Sequence, residues 1–193
     1  MLACDVRDDY EIIEGGKFMS PSPDMGHGNV VGKLMMLIGS YAAVNKLGIC
    51  FADNIDVHFP DGNLFRPDFM FISAANENLF VDKKRMTLHG VPDMVAEIFS
   101  RSTMKRDTTV KKDVYERNGV REYWMIDPWR ETVEIHLLRD GKYFFDGMYE
   151  NWSDDELIRL PEEERNQVKL EVPVAVLDGF TIKIRNIFGW YFE

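Results

Sequence analysis

One acid interrupts an otherwise apolar, strand-like run, Met94-Val95-Ala96-Glu97-Ile98-Phe99, and this places a firm demand on the fold. An ionised carboxylate inside so apolar a strand needs a partner, because burial penalises its charged form. A buried arginine would serve as a purely structural partner; a bound cation would serve as a functional one. Asp68, in Arg66-Pro67-Asp68, opens a second apolar run, Phe69-Met70-Phe71-Ile72. There it is either a turn residue at a strand edge or an acid that is solvated, paired or bound to a cation. If neighbouring strands bring Asp68 and Glu97 together, like-charge repulsion makes a shared metal ion a natural solution, with waters and substrate oxygens completing the coordination of Mg²⁺.

A positive group is available from the next segment. Residues 103–118 read as a helix stopped by Asn118-Gly119. Asp107, Lys111 and Tyr115 fall at successive four-residue steps and project from one helical face. Taken alone, Asp107 and Lys111 are an ordinary surface ion pair worth a few tenths of a kcal/mol. Beside two acids, Lys111 is suited to orient a nucleophilic water and to offset charge developing on a phosphate.

Composition narrows the classes. At 193 residues and 45% hydrophobic, the chain suits one well-buried core, so a single α/β or α+β domain over residues 1–193 is expected. No apolar run approaches the roughly 18 to 20 residues that span a bilayer, and the first residues lack a basic region followed by an apolar stretch. Leu2-Ala3-Cys4 has no hydrophobic segment before it, as a lipoprotein cleavage site would. Membrane and secretory roles are therefore not expected. Two cysteines, Cys4 and Cys50, form no metal-ligand spacing and no disulfide framework, which suits free thiols in a reducing cytoplasm. The net charge of −10 argues against non-specific coating of nucleic acid. Residues 83–121 nevertheless hold ten Lys/Arg against five Asp/Glu. That local basic face on an acidic body is compatible with a polyanionic substrate, as it is with a solvated helix between loops.

Tyr10 to Ile13 and Phe18 to Met19 flank Gly15-Gly16 as a hairpin, and Ser20-Pro21-Ser22-Pro23 breaks the backbone before a helix over residues 24–47, capped by Asp24. Strands are expected at Ile49 to Phe59, Asp68 to Ile72 and Met94 to Phe99, with a polar loop from Ser73 to His89. After the second helix come strands at Arg121 to Ile126, Thr132 to Leu138 and Lys142 to Phe145. Glu150 to Arg165 reads as an exposed acidic excursion, and apolar character returns at Val172 to Val176, Phe180 to Ile184 and Ile187 to Phe192.

The ordered series Arg66-Pro67-Asp68, then Glu97 followed by Ser100-x-x-Thr103, then Asp107-x-x-x-Lys111-x-x-x-Tyr115, then Tyr123-Trp124-x-x-Asp127-Pro128 resembles the Uma-two type of bacterial restriction endonucleases, within the PD-(D/E)XK nuclease superfamily. Tyr10 to Gly15, Met19-Ser20-Pro21, His27, Gly90 to Ser100 and Gly119 to Pro128 add to it. The resemblance covers residues 8–145 and leaves 146–193 as a C-terminal elaboration. It implies a restriction-endonuclease-like core, a mixed central β-sheet flanked by α-helices with an N-terminal β-hairpin, and one or two Mg²⁺ or Mn²⁺ ions. Asp68 and Glu97 become metal ligands, joined by the Ile98 carbonyl. The superfamily's usual lysine, two residues after the glutamate, is here Phe99. Lys111 becomes its replacement from the following helix, with Lys105 and Lys112 less well phased.

Supporting positions follow. Glu11 matches an acidic position of the family's first hairpin and suits a hydrogen bond to metal-bound water, although exposed hairpin glutamates are common. His27 either faces the same cleft or caps its helix. Asp107 is placed to hold Lys111, Ser100 and Thr103 to cap the Lys111 helix, Tyr115 to pack, and Tyr123 and Trp124 to fill a core strand. The expected function is metal-dependent cleavage of DNA phosphodiester bonds by a cytoplasmic protein, and a homodimer would bring two sites to two strands. The alternative is a catalytically weak or inactive nuclease scaffold that binds a protein or nucleic acid.

Overall fold

The computed structural model describes residues 10–19, 23–52, 55–80, 87–100 and 107–189, with the side chains of Glu77, Asn78, Phe80, Asp107 and Thr108 outside that set. Among the described residues the architecture is mixed α/β, with two mixed sheets and helices packed against them.

The larger sheet has six strands. In spatial order they are β11 (Lys142–Glu150), β10 (Thr132–Arg139), β9 (Glu122–Asp127), β8 (Met94–Ile98), β6 (Phe69–Ser73) and β3 (Gly48–Ala52). Only the β8–β9 pair is parallel. The smaller sheet has five strands: β2 (Gly16–Met19), β1 (Tyr10–Ile13), β5 (Leu64–Phe65), β4 (Asp56–His58) and β7 (Thr87–His89). A last hairpin joins β12 (Glu171–Pro173) to β13 (Thr181–Lys183).

Side-chain alternation sorts the large sheet into two faces. One face sends Met94, Ala96 and Ile98 into a core with Val30, Val31, Leu34 and Ile38 of the first helical segment and with Val172, Ile182 and Ile187. That segment comprises α1 (Met25–Leu34), a π-helical turn (Met35–Gly39) and α2 (Ser40–Val44). Asp24 caps it as expected, its side chain accepting from the His27 amide at 2.9 Å. The other face sends Val95 and Phe99 against Phe65 of the small sheet and against Val114 and Tyr115. The latter two lie on α3 (Lys112–Asn118), which continues a π-helical turn, Asp107–Lys111, and ends at Gly119. Gly119 adopts φ 90°, the left-handed cap for which glycine is favoured. The expected start of that helix near 103 lies outside the described residues, with Thr103 and Lys105.

Several expectations need correction. The run Ile49 to Phe59, read as one strand, divides into β3 and β4, which belong to different sheets. Its partners are distant in sequence: β3 pairs with β6, whereas β4 pairs with β5 and β7. The loop expected from Ser73 to His89 contains a 3₁₀ segment, Ala74–Phe80, and the parallel strand β7. β11 runs to Glu150, beyond the expected end at Phe145. The acidic excursion carries helices Asp154–Arg159 and Glu162–Arg165, the first opened by a reciprocal Ser153–Glu156 capping box. The C-terminal segment is part of the core, since Val172, Val174, Leu177, Ile182, Ile184, Ile187 and Phe188 are buried. Cys50 is free and buried, and burial pushes its thiol up to about 12. Among the described residues, no helix is long and apolar enough to cross a membrane.

Candidate active site

Glu97 points to the same face of β8 as Val95 and Phe99, toward α3 and the small sheet, and is 2% exposed. Its Oε1 accepts hydrogen bonds from Lys111 Nζ at 3.0 Å and from the Tyr115 hydroxyl at 2.5 Å. The lysine at the π-turn's end and the tyrosine one helical turn later thus converge on one oxygen, as their four-residue spacing requires. Burial, then the negative charge of Glu97, raises the Tyr115 phenol well above its ordinary range, so it remains a donor.

Glu11 completes the buried group from the N-terminal hairpin. Its Oε1 lies 2.8 Å from Lys111 Nζ and accepts from the Arg66 amide at 3.0 Å. The ammonium is therefore shared by two carboxylates, with the Phe65 ring centroid 5.5 Å away. Breaking such a buried arrangement from one side costs about 3 to 5 kcal/mol, because it leaves a buried charge uncompensated. The loop carrying Arg66 is itself tied down by an ion pair from Arg66 Nε to Asp56 on β4.

Asp68 stands one residue before β6. The pairing of Phe69 with Ala96 puts it level with Glu97 across the β6–β8 ladder. Its Oδ2 accepts from the Ile98 amide at 2.7 Å, and its Oδ1 is 3.1 Å from His27 Nε2. His27 sits in the first turn of α1 and is 8% exposed. Of its two alternatives the structure shows the first: the ring meets Asp68, whereas the helix cap is Asp24, to which the His27 amide donates.

Glu11, His27, Asp68, Glu97 and Lys111 thus gather at one end of the β6–β8 pair. Ile98 joins them through its N–H; its carbonyl as an oxygen donor remains an expectation. The Asp107 side chain lies outside the described set. Lys112 goes elsewhere, its Nζ 3.3 Å from His136 Nε2 on β10, so the helix phase selects Lys111. Phe99 is packed into the apolar core. Tyr115, expected to pack, also donates to the glutamate, as the four-residue series it shares with Lys111 signals. Among the described residues, no three His, Cys, Asp or Glu side chains are grouped to hold a metal ion by themselves.

Comparison with known proteins gives a consistent result. Residues 5–171 match the Uma2 family, described as "Putative restriction endonuclease". No curated protein matches the chain. Among solved structures, that of a putative nuclease belonging to DUF820 from Anabaena variabilis shares the fold with a TM-score of 0.72. It is 17% identical, over 94% of this chain and 90% of that one.

Proposed function

Because the chain belongs to the Uma2 family, we propose that it is a metal-dependent endonuclease hydrolysing DNA phosphodiester bonds at the Asp68–Glu97–Lys111 cluster. The observation that carries this reading is the Lys111 ammonium 3.0 Å from Glu97. A helix thereby delivers the positive group that Phe99 cannot supply from the strand.

The donor chemistry fits a hard divalent cation. Mg²⁺ needs only one or two protein carboxylates, with waters and substrate phosphate oxygens filling its shell. Asp68 and Glu97 would hold Mg²⁺ or Mn²⁺, with the Ile98 carbonyl as a further oxygen. Such an ion supplies Lewis acidity and lowers the pKa of a bound water. Lys111 orients the attacking water and offsets charge developing on the phosphate, an effect strengthened by its dry surroundings. Glu11 and Tyr115 position Lys111 and Glu97, and His27 steadies the Asp68 carboxylate.

The test is cleavage of supercoiled plasmid, linear duplex and single-stranded DNA with Mg²⁺, Mn²⁺ or EDTA, comparing the native chain with Glu97→Gln and Lys111→Ala. Metal-dependent cutting lost in both variants supports the assignment; cutting that survives Glu97→Gln removes it. A second reading has its own observation, since an ammonium shared by buried Glu11 and Glu97 also serves as a purely structural ion network. On that reading the scaffold binds nucleic acid or a protein partner and shows no turnover under any of these conditions.

A further inference from the structure

At the end of the large sheet that holds Glu97, a groove of about 670 Å³ opens beside the turn between β9 and β10. Its volume lies within the range of small-molecule sites. β8 and β9 are parallel with Ile98 level with Ile126, so β9 leaves the sheet on the same side as the Glu97 cluster. Strand spacing of about 4.8 Å and a rise of about 3.3 Å per residue put Trp129 within roughly 15 Å of Glu97. A series of contacts links the two places. Gly189 lines the groove, the preceding Phe188 carbonyl accepts from Asn29 Nδ2 on α1 at 3.2 Å, and His27 of the same helix contacts Asp68.

The groove presents two indoles, Trp129 and Trp152. Trp129 is 46% exposed, whereas Trp124 on the adjoining strand is fully buried. Its turn is held in place: Asp127 Oδ1 accepts from the amides of Trp129 at 2.9 Å and Arg130 at 3.0 Å. Nearly half of a large aromatic side chain thus faces water on this turn.

The lining also carries charge. Four carboxylates, Glu131, Glu150, Asp154 and Glu156, and two arginines, Arg130 and Arg185, line the groove; Arg185 is paired with Asp154 at 2.9 Å and Arg130 with Asp127 at 3.9 Å, while Glu131 and Glu156 accept from Asn151 and Ser153. A duplex hides the base faces that indoles stack upon, whereas an unpaired base exposes them. Aromatic stacking accepts any base, and carboxylates accept hydrogen bonds from exocyclic amino groups.

We propose that this groove is a nucleotide subsite in which Trp129 and Trp152 stack an unpaired base of the substrate, directing the neighbouring site to nucleic acid with single-stranded character. The proposal rests on the nuclease reading for its role, while its binding test needs no turnover. Fluorescently labelled single-stranded oligonucleotide and a blunt hairpin duplex are titrated in EDTA against the native chain, Trp129→Ala, Trp129→Phe and Trp152→Ala, with circular dichroism checking each fold. Single strands bind roughly tenfold tighter than duplex; Trp129→Ala loses roughly tenfold of that affinity and Trp129→Phe regains most of it. Equal or tighter duplex binding, or native affinity in Trp129→Ala, overturns the subsite. So does a groove that takes a Lys/Arg-rich peptide and no oligonucleotide. The two readings fail separately. Trp129-dependent binding without metal-dependent cleavage upholds the subsite while ending the nuclease reading; Glu97-dependent cleavage with native binding in Trp129→Ala ends the subsite alone.

Discussion

Glu97 on β8 and Glu122 on β9 are glutamates buried in adjacent parallel strands, 2% and 0% exposed, and their surroundings differ in kind. Glu97 faces an ammonium and a phenol at the sheet end shared with Asp68. Glu122 lies at the opposite end, on the opposite face, and accepts from the Trp124 indole at 2.7 Å and the Val176 amide at 2.8 Å. Fixed neutral donors hold a carboxylate in place and dock a distant segment. An ammonium shared between carboxylates leaves a charged cluster able to respond to another charge. Burial of an acid therefore does not identify a functional site; the character and origin of its donors do.

The largest expected effect tests this contrast through activity. Glu97→Gln keeps the shape but removes the charge facing Lys111. Under the proposed function it lowers metal-dependent cleavage by about a thousandfold, of the order found when a transition-state electrostatic contact is removed. Glu122→Gln leaves the cleavage rate per folded molecule unchanged. Matched plasmid-nicking time courses at equal folded concentration decide it, and equal losses in the two variants would end the distinction.

Stability tests the anchoring role of Glu122 directly. Glu122→Ala strips the acceptor from the Trp124 indole and the Val176 amide and opens a cavity, for a loss of about 3 kcal/mol. In a chain of this length that lowers Tm by about 10 °C. Calorimetry of Glu122→Ala checks it; an unchanged Tm would mean that the C-terminal segment docks without this acid.

Acidity probes the same carboxylate more gently. Burial raises Glu122 to about 6, against an ordinary 4.5. Below 4.5 it is protonated folded or unfolded and carries no penalty; above 6 it is ionised in both states and the folded chain bears the full penalty. Its contribution therefore falls as pH rises from 4.5 to 6, by about 2 kcal/mol at 1.36 kcal/mol per pH unit. Across this window the stability of the native chain, read from denaturant melts, should fall by about 2 kcal/mol relative to that of Glu122→Gln. A constant difference would place the titration elsewhere.

The legible parts of the molecule were those whose partners are close in sequence or share a period. The demand of Glu97 for a partner, and the phase of Lys111 that meets it, were both readable, as were the hairpin, the Asp24 cap and the Gly119 stop. Nothing local marks Glu122, because its amide donor is 54 residues away and the sequence around it, with Arg121 before it, looks like an ordinary strand edge. The single apolar run Ile49 to Phe59 gave no sign of its division, which is decided by pairing with β6 on one side and β5 and β7 on the other. The acidic composition of Glu150 to Arg165 makes its exposure legible, while the Ser153–Glu156 capping box is the local sign of the helix within it.

Tyr115 makes the finest probe of the Glu97 environment, since its ring and its hydroxyl do different work. The ring packs against Phe59, Phe65 and Tyr123 at centroid distances of 5.6, 5.3 and 5.1 Å, while the hydroxyl alone touches Glu97. Tyr115→Phe therefore keeps the packing and deletes one donor to a buried carboxylate, a hydrogen bond worth about 1.5 kcal/mol. If that bond only fills space, Tm falls slightly and cleavage is untouched. If it holds Glu97 where the proposed reaction needs it, kcat drops about fivefold to tenfold with KM unchanged, because positioning acts on the chemical step and leaves substrate binding alone. Steady-state cleavage of a short labelled oligonucleotide separates the two, and a rise in KM at constant kcat would assign Tyr115 to substrate binding instead.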